Sequence, residues 1–106
     1  MDHRAFERAA ALFRAAGDVS RLKLLHLLDG PERCVSELAE VSGTRLSTLS
    51  QQLRVLFSER IVSRRRDGKH IYYALADDHV RALIHAALVH AAEPHSPRNT
   101  KERTRS

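Results

Sequence analysis

The chain has 106 residues, 42% of them apolar, with 18 Lys plus Arg against 13 Asp plus Glu, a formal net charge of +5 and a pI near 10.1. A chain of this length holds one domain; its single cysteine, Cys34, excludes an internal disulfide, and no apolar run is long enough for a membrane span. The positive excess points to an anionic partner, nucleic acid first, and so small a core makes stabilisation by dimerisation the expectation.

The opening "MDHRAFERAA" lacks the cationic start and apolar core of a secretion signal, so a cytoplasmic, reducing location is expected. From Arg4 to Ala16 the residues Ala5, Phe6, Ala9, Ala10, Leu12, Phe13 and Ala16 recur at helical spacing until Gly17, which predicts a first helix. Asp18 is placed to cap a second, whose Val19, Leu22, Leu25 and Leu28 stripe is backed by Leu24 and Leu27 and broken at Asp29-Gly30-Pro31. "VSELAEVSG" predicts a short third helix, with Ser36 as its cap, Leu38 and Val41 on one face and Gly43 as its stop. "RLSTLSQQLRVLFSER" predicts a fourth, with Leu46, Leu49, Leu53 and Leu56 on one face and Ser47, Thr48, Ser50, Gln51 and Arg54 largely elsewhere.

The period then changes from helical to alternating. "IVSRRRDGKHIYYAL" predicts two strands joined by a two-residue turn at Asp67-Gly68. "DDHVRALIHAALVHAAE" is a fifth helix, capped by Asp78 and ended by Pro94, and residues 94–106, "PHSPRNTKERTRS", read as a disordered basic tail. The order predicts a mainly α fold with a β-hairpin wing over residues 1–93: a winged helix-turn-helix of five helices and a two-stranded hairpin.

Charge locates the expected contact with nucleic acid. Between residues 45 and 70 lie Arg45, Arg54, Arg60, Arg64, Arg65, Arg66 and Lys69 against only Glu59 and Asp67, a net +5 that equals that of the whole chain. A helix presenting Ser47, Thr48, Ser50, Gln51 and Arg54 can enter a major groove, and Arg64, Arg65, Arg66 and Lys69 on the hairpin beside it can contact backbone or minor groove. "CVSELAEVSG", "LSTLSQQLRVL" and "RRRDGKHIYYAL" resemble the ArsR/SmtB family of metal-responsive winged-helix repressors, over roughly residues 5 to 93. The resemblance implies a homodimer that docks two recognition helices on an imperfect palindrome of double-stranded operator DNA. Arg45 stands where members often carry serine, and Gln51 replaces a common histidine, which leaves the operator sequence open.

The fifth helix carries the metal chemistry. Asp77, His79, His90 and Glu93 offer two imidazole nitrogens and two carboxylates, a donor set suited to Zn(II). His79 and His90 share a helix face to within roughly 20°, but they are about 16 Å apart along the axis, so one helix cannot bring both to one ion. Two antiparallel copies can, completing two identical sites per dimer. The pattern Asp-x-His-x10-His-x2-Glu resembles the C-terminal-helix zinc site of the family at all four positions. The resemblance further implies a relay from the free ring nitrogen of His90 to a backbone carbonyl before the wing, here that of Arg60. In this reading zinc releases the repressor from DNA and derepresses metal efflux or resistance genes.

Other residues are assigned lesser parts. His85 lies about 120° around the helix from His79 and is expected to be a surface or packing residue. His95, just after Pro94, could extend the shell for Ni(II) or Co(II), with His3 the one remote further donor. Cys34 lies in "RCVSE", where soft-metal sensors of the family carry paired cysteines, so it is read as a buried thiol, with oxidant sensing as the alternative. No Gly-rich phosphate loop or nucleophile–base motif accompanies the donors, so neither an enzyme nor a small-molecule substrate is expected.

Overall fold

The computed structural model describes residues 1–94. The tail read as disordered lies outside the described residues from His95 onward. Helix α1 (His3–Ala16) starts from Asp2, whose carboxylate accepts the Ala5 N–H at 3.0 Å. Helix α2 (Val19–Leu27) starts from Asp18, which accepts the Arg21 N–H at 3.0 Å, while the Arg21 guanidinium reaches back to the Ala15 carbonyl and ties the two helices. These oxygens satisfy amides that have no partner within the helix.

Helix α3 (Val35–Ser42) is capped differently from the expectation. Its cap residue is Cys34, not Ser36, and Glu37 folds back to accept the Cys34 N–H at 2.9 Å. That bond holds the Glu37 carboxyl below the usual carboxylate range. Gly43 ends α3 at φ +70, the left-handed conformation that costs glycine least, and Thr44 and Arg45 lead into α4 (Leu46–Ser58).

The sheet has one strand more than the sequence predicts. β2 (Val62–Asp67) and β3 (His70–Leu75) form the wing, and the two-residue strand β1 (Arg33–Cys34) pairs with the other edge of β3, giving the antiparallel order β1-β3-β2. Asp67 pairs with His70, so the central turn residues are Gly68 and Lys69 rather than Asp67 and Gly68. Only Gly68, at φ +63, takes a positive φ there, as a II′ hairpin requires at its first central position. Helix α5 (Asp78–Ala92) follows, and Asp77, not Asp78, is its cap, accepting the Val80 N–H at 3.0 Å.

Leu25, Leu28, Leu38, Leu49, Leu53, Leu56 and Ile61 are fully buried and draw α2, α3, α4 and the first strand of the wing around one core, joined by Val62, Tyr73, Leu75, Val80 and Ile84. Each buried leucine contributes about 1.5–3 kcal/mol, which is what fixes α4 relative to the wing. Several residues expected in apolar stripes are outside it. Val19 and Leu46, in the first turns of α2 and α4, project past the core and are exposed, as is Val41. Phe6 and Phe13 of α1 are also exposed, at 63% and 59%, with Val89 of α5.

Candidate DNA interface and metal-binding helix

The burial of Leu49, Leu53 and Leu56 decides which way α4 faces. With that stripe turned inward, Ser47, Thr48, Ser50, Gln51 and Arg54 are all exposed on the outside. The N-terminal turn of α4 carries no acidic residue, so its free amides and these side chains make a surface suited to an anion. At the other end the chain leaves α4 through Arg60, at φ +60 a left-handed non-glycine residue. Two bonds close that end: Arg60 N–H to the Phe57 carbonyl at 3.0 Å and Ile61 N–H to the Leu56 carbonyl at 2.9 Å. The wing is thereby tied to the last turn of α4.

Arg64, Arg65, Arg66 and Lys69 are exposed on that wing, but the arginines differ in company. Arg64 places its guanidinium 3.9 Å from the centre of the Phe57 ring. Arg65 pairs with Glu32, which holds the glutamate carboxyl below and the guanidinium above their usual ranges.

The metal-donor residues fall into two pairs at opposite ends of α5. Asp77 Oδ1 lies 3.6 Å from His79 Nδ1, and His90 Nδ1 lies 3.7 Å from Glu93 Oε1. Both imidazoles are almost wholly exposed, at 97% and 88% of the side chain. The Val80 N–H holds the Asp77 carboxyl below the usual range, and His79 adds to this. The same oxygen, Oδ1, accepts the cap bond and lies nearest the His79 ring. Among the described residues no three His, Cys, Asp or Glu side chains of one chain converge as a metal site. The donor set therefore fits a borderline divalent ion by chemistry, as two halves.

The remaining histidines and the cysteine stand apart. His85 lines a shallow groove with His26, Asp29 and Ile84. His3 lies 3.9 Å from Glu7 on the exposed start of α1. Cys34 is buried, with its Sγ 3.2 Å from Ser36 Oγ. Sequence reasoning missed two features here: the Glu32–Arg65 pair, whose members are far apart in the chain, and a cleft of about 450 Å³ in which Asp77 and His79 meet Arg8, Glu59 and Arg60. Among the described residues no helix is long and apolar enough to cross a membrane.

Comparison with known proteins agrees with this arrangement. Residues 18–64 match the family model described as bacterial regulatory protein, arsR family. The chain is 41% identical over 87 residues to a transcriptional repressor SmtB homolog of Synechocystis sp., covering 82% of this chain and 66%, just under two thirds, of that relative. It is 35% identical to a cadmium resistance transcriptional regulatory protein CadC homolog of Staphylococcus aureus, over 79% of this chain and 70% of the relative. Among solved structures, the homodimeric winged helix-turn-helix DNA-binding domain of a possible ArsR-family regulator from Mycobacterium bovis matches with a TM-score of 0.81 at 33% identity, over 91% of this chain and 94% of that one. With the order of the helices, the wing and these relatives in agreement, the chain belongs to the ArsR/SmtB family of winged helix-turn-helix transcriptional regulators.

Proposed function

We propose that the protein is a metal-responsive transcriptional repressor whose metal-free homodimer binds operator DNA and whose Zn(II)-bound form releases it. The observation that carries this reading is the division of α5 into two exposed donor pairs, Asp77 with His79 and His90 with Glu93, at the two ends of one helix. Two copies of α5 antiparallel about a two-fold axis set the first pair of one beside the second pair of the other, making two sites per dimer. Exposed Phe6, Phe13 and Val89 support such pairing, since α1 and α5 carry apolar surface that one chain leaves uncovered. The Mycobacterium bovis neighbour, a homodimer, supports it too.

The bound ion would supply bonds that cross the dimer and fix its shape. Ser47, Thr48, Ser50, Gln51 and Arg54 hydrogen-bond base edges and phosphates in the major groove, and Arg64, Arg65, Arg66 and Lys69 serve the flanking backbone. The cleft that joins Asp77 and His79 to Arg60 supports a link from the metal to the wing, because the His90 end of a second copy would arrive there. A hydrogen bond from His90 to the Arg60 carbonyl would then transmit coordination to the left-handed joint after α4. Linkage makes the effect reciprocal: whatever factor zinc takes from DNA affinity, DNA takes from zinc affinity.

The donors favour zinc over softer ions. They are nitrogen and oxygen atoms, and the one thiol, Cys34, is buried against Ser36, which favours neither soft-metal capture nor oxidant sensing. Ni(II) and Co(II) accept the same donors and belong in the test, as does Cd(II), for which one relative is named. A gel shift on the upstream promoter, run with chelator and with each metal, decides it. The chelated protein should retard the fragment and zinc should release it; equal retardation at saturating zinc would overturn the reading.

A further inference from the structure

The wing arginines lie on opposite faces of β2. Side chains alternate along a strand, and the register sets Arg64 across from Tyr73 and Arg65 across from Tyr72. Tyr73 is buried, so Arg64 is on the face that covers the core, against Phe57. Arg65 is on the other face, its guanidinium 5.1 Å from the centre of the Tyr72 ring. Beyond that ring it meets Glu32: Nε donates to Oε1 and Oε2 at 3.1 and 3.3 Å, and Nη2 donates to Oε1 as well. Asp67 adds a second carboxylate, at 3.8 Å.

The sheet order gives this contact its meaning. Glu32 directly precedes β1, and β1 lies on the far side of β3 from β2. The Arg65 side chain therefore crosses the middle strand and joins the two edges of the sheet, 33 residues apart in the chain. A lone exposed ion pair stabilises little, but a forked guanidinium–carboxylate contact supported by an aromatic face holds its geometry. A guanidinium engaged by two carboxylates is poorly placed to take a phosphate.

We propose that Arg65 is a positioning residue: with Glu32 it latches the wing to the segment leading into the helix-turn-helix and sets the angle at which the wing meets DNA. Phosphate contact then falls to Arg64, Arg66 and Lys69. The inference rests on the DNA-binding reading above and narrows it at one residue. The latch makes Glu32, an acidic residue beside a DNA surface, a contributor to binding.

Charge reversal tests it. Fluorescence anisotropy on an operator fragment, over a salt series, compares the wild type with R65E, E32R/R65E, R65K and R66Q. R65E should weaken binding about tenfold, and E32R/R65E, which restores the pair and the net charge, should return to within about threefold with the wild-type salt slope. R65K keeps the charge but loses the fork, so it should also bind less tightly than wild type. R66Q should flatten the slope by about one phosphate contact. The latch is overturned if the double variant stays as weak as R65E with a flattened slope, or if R65K binds like wild type. Absence of salt-dependent operator binding by the wild type would overturn the DNA reading itself and the latch with it.

Discussion

Helices α4 and α5 are similar in length, 13 and 15 residues, and opposite in how complete one protomer leaves them. α4 buries Leu49, Leu53 and Leu56 to 1% exposure or less and turns Ser47, Thr48, Ser50, Gln51 and Arg54 outward, with Leu46, Val55 and Phe57 also exposed. α5 buries Val80 and Ile84, leaves Val89 nearly half exposed, and holds the four candidate donors at its ends as two separated pairs. On the proposed reading, the DNA-facing polar residues of α4 are complete within one chain, while the donor pairs of α5 are completed by a second copy. A regulator divided this way can keep its DNA-reading surface rigid and place the variable quantity, the relation between protomers, under the control of a ligand.

The largest expected effect falls on the finished half. Leu53→Ala removes a side chain from the centre of the core and should cost about 2–5 kcal/mol in urea unfolding, against a total of about 5–15 for a domain of this kind. Such a loss would take DNA binding and metal binding together, and a variant of wild-type stability would contradict the central place given to α4. A second substitution separates the halves. His90→Asn should keep operator binding and lose at least about 100-fold in zinc affinity by calorimetry, and zinc that still releases DNA from this variant would remove the α5 assignment.

The smallest effect is that of acid on Glu37, at the start of the helix-turn-helix. The Glu37 carboxyl is held below its ordinary 4.5 by the Cys34 N–H that it accepts. Its contribution to stability is therefore fully present above the ordinary value and is lost as the pH falls through the lower folded value. Glu37→Gln keeps an acceptor for the same N–H but cannot titrate, so its stability should fall less steeply than that of the wild type below about pH 4.5. Denaturant melts at a few pH values would show it, and parallel profiles would mean that the bond contributes nothing.

The sequence shows the helices because leucine and alanine recur at three and four residues, and it shows the wing because the period there drops to two. What it conceals is of three physical kinds. β1 is two residues long, too short to display any period, so the third strand emerges only when Arg33 and Cys34 are found beside Tyr73 and Tyr72. Caps depend on which of several neighbouring oxygens the backbone can reach, and so Asp77 caps α5 where Asp78 is the residue expected. The Glu32–Arg65 contact joins segments that only the sheet brings together. The proposed donors, by contrast, are named by spacing along and beside a single helix, at Asp77, His79, His90 and Glu93, and one chain brings them only as far as two pairs.

The arrangement of those donors has a genetic consequence. If each site draws one half from each protomer, a chain lacking Asp77 and His79 and a chain lacking His90 and Glu93 are both blind as homodimers. Mixed in one dimer, they concentrate all four defects in one site and leave the other intact. Two defective alleles would then complement one another for metal sensing, to the level that a single working site supports, and the locus would behave as two cistrons written in one helix.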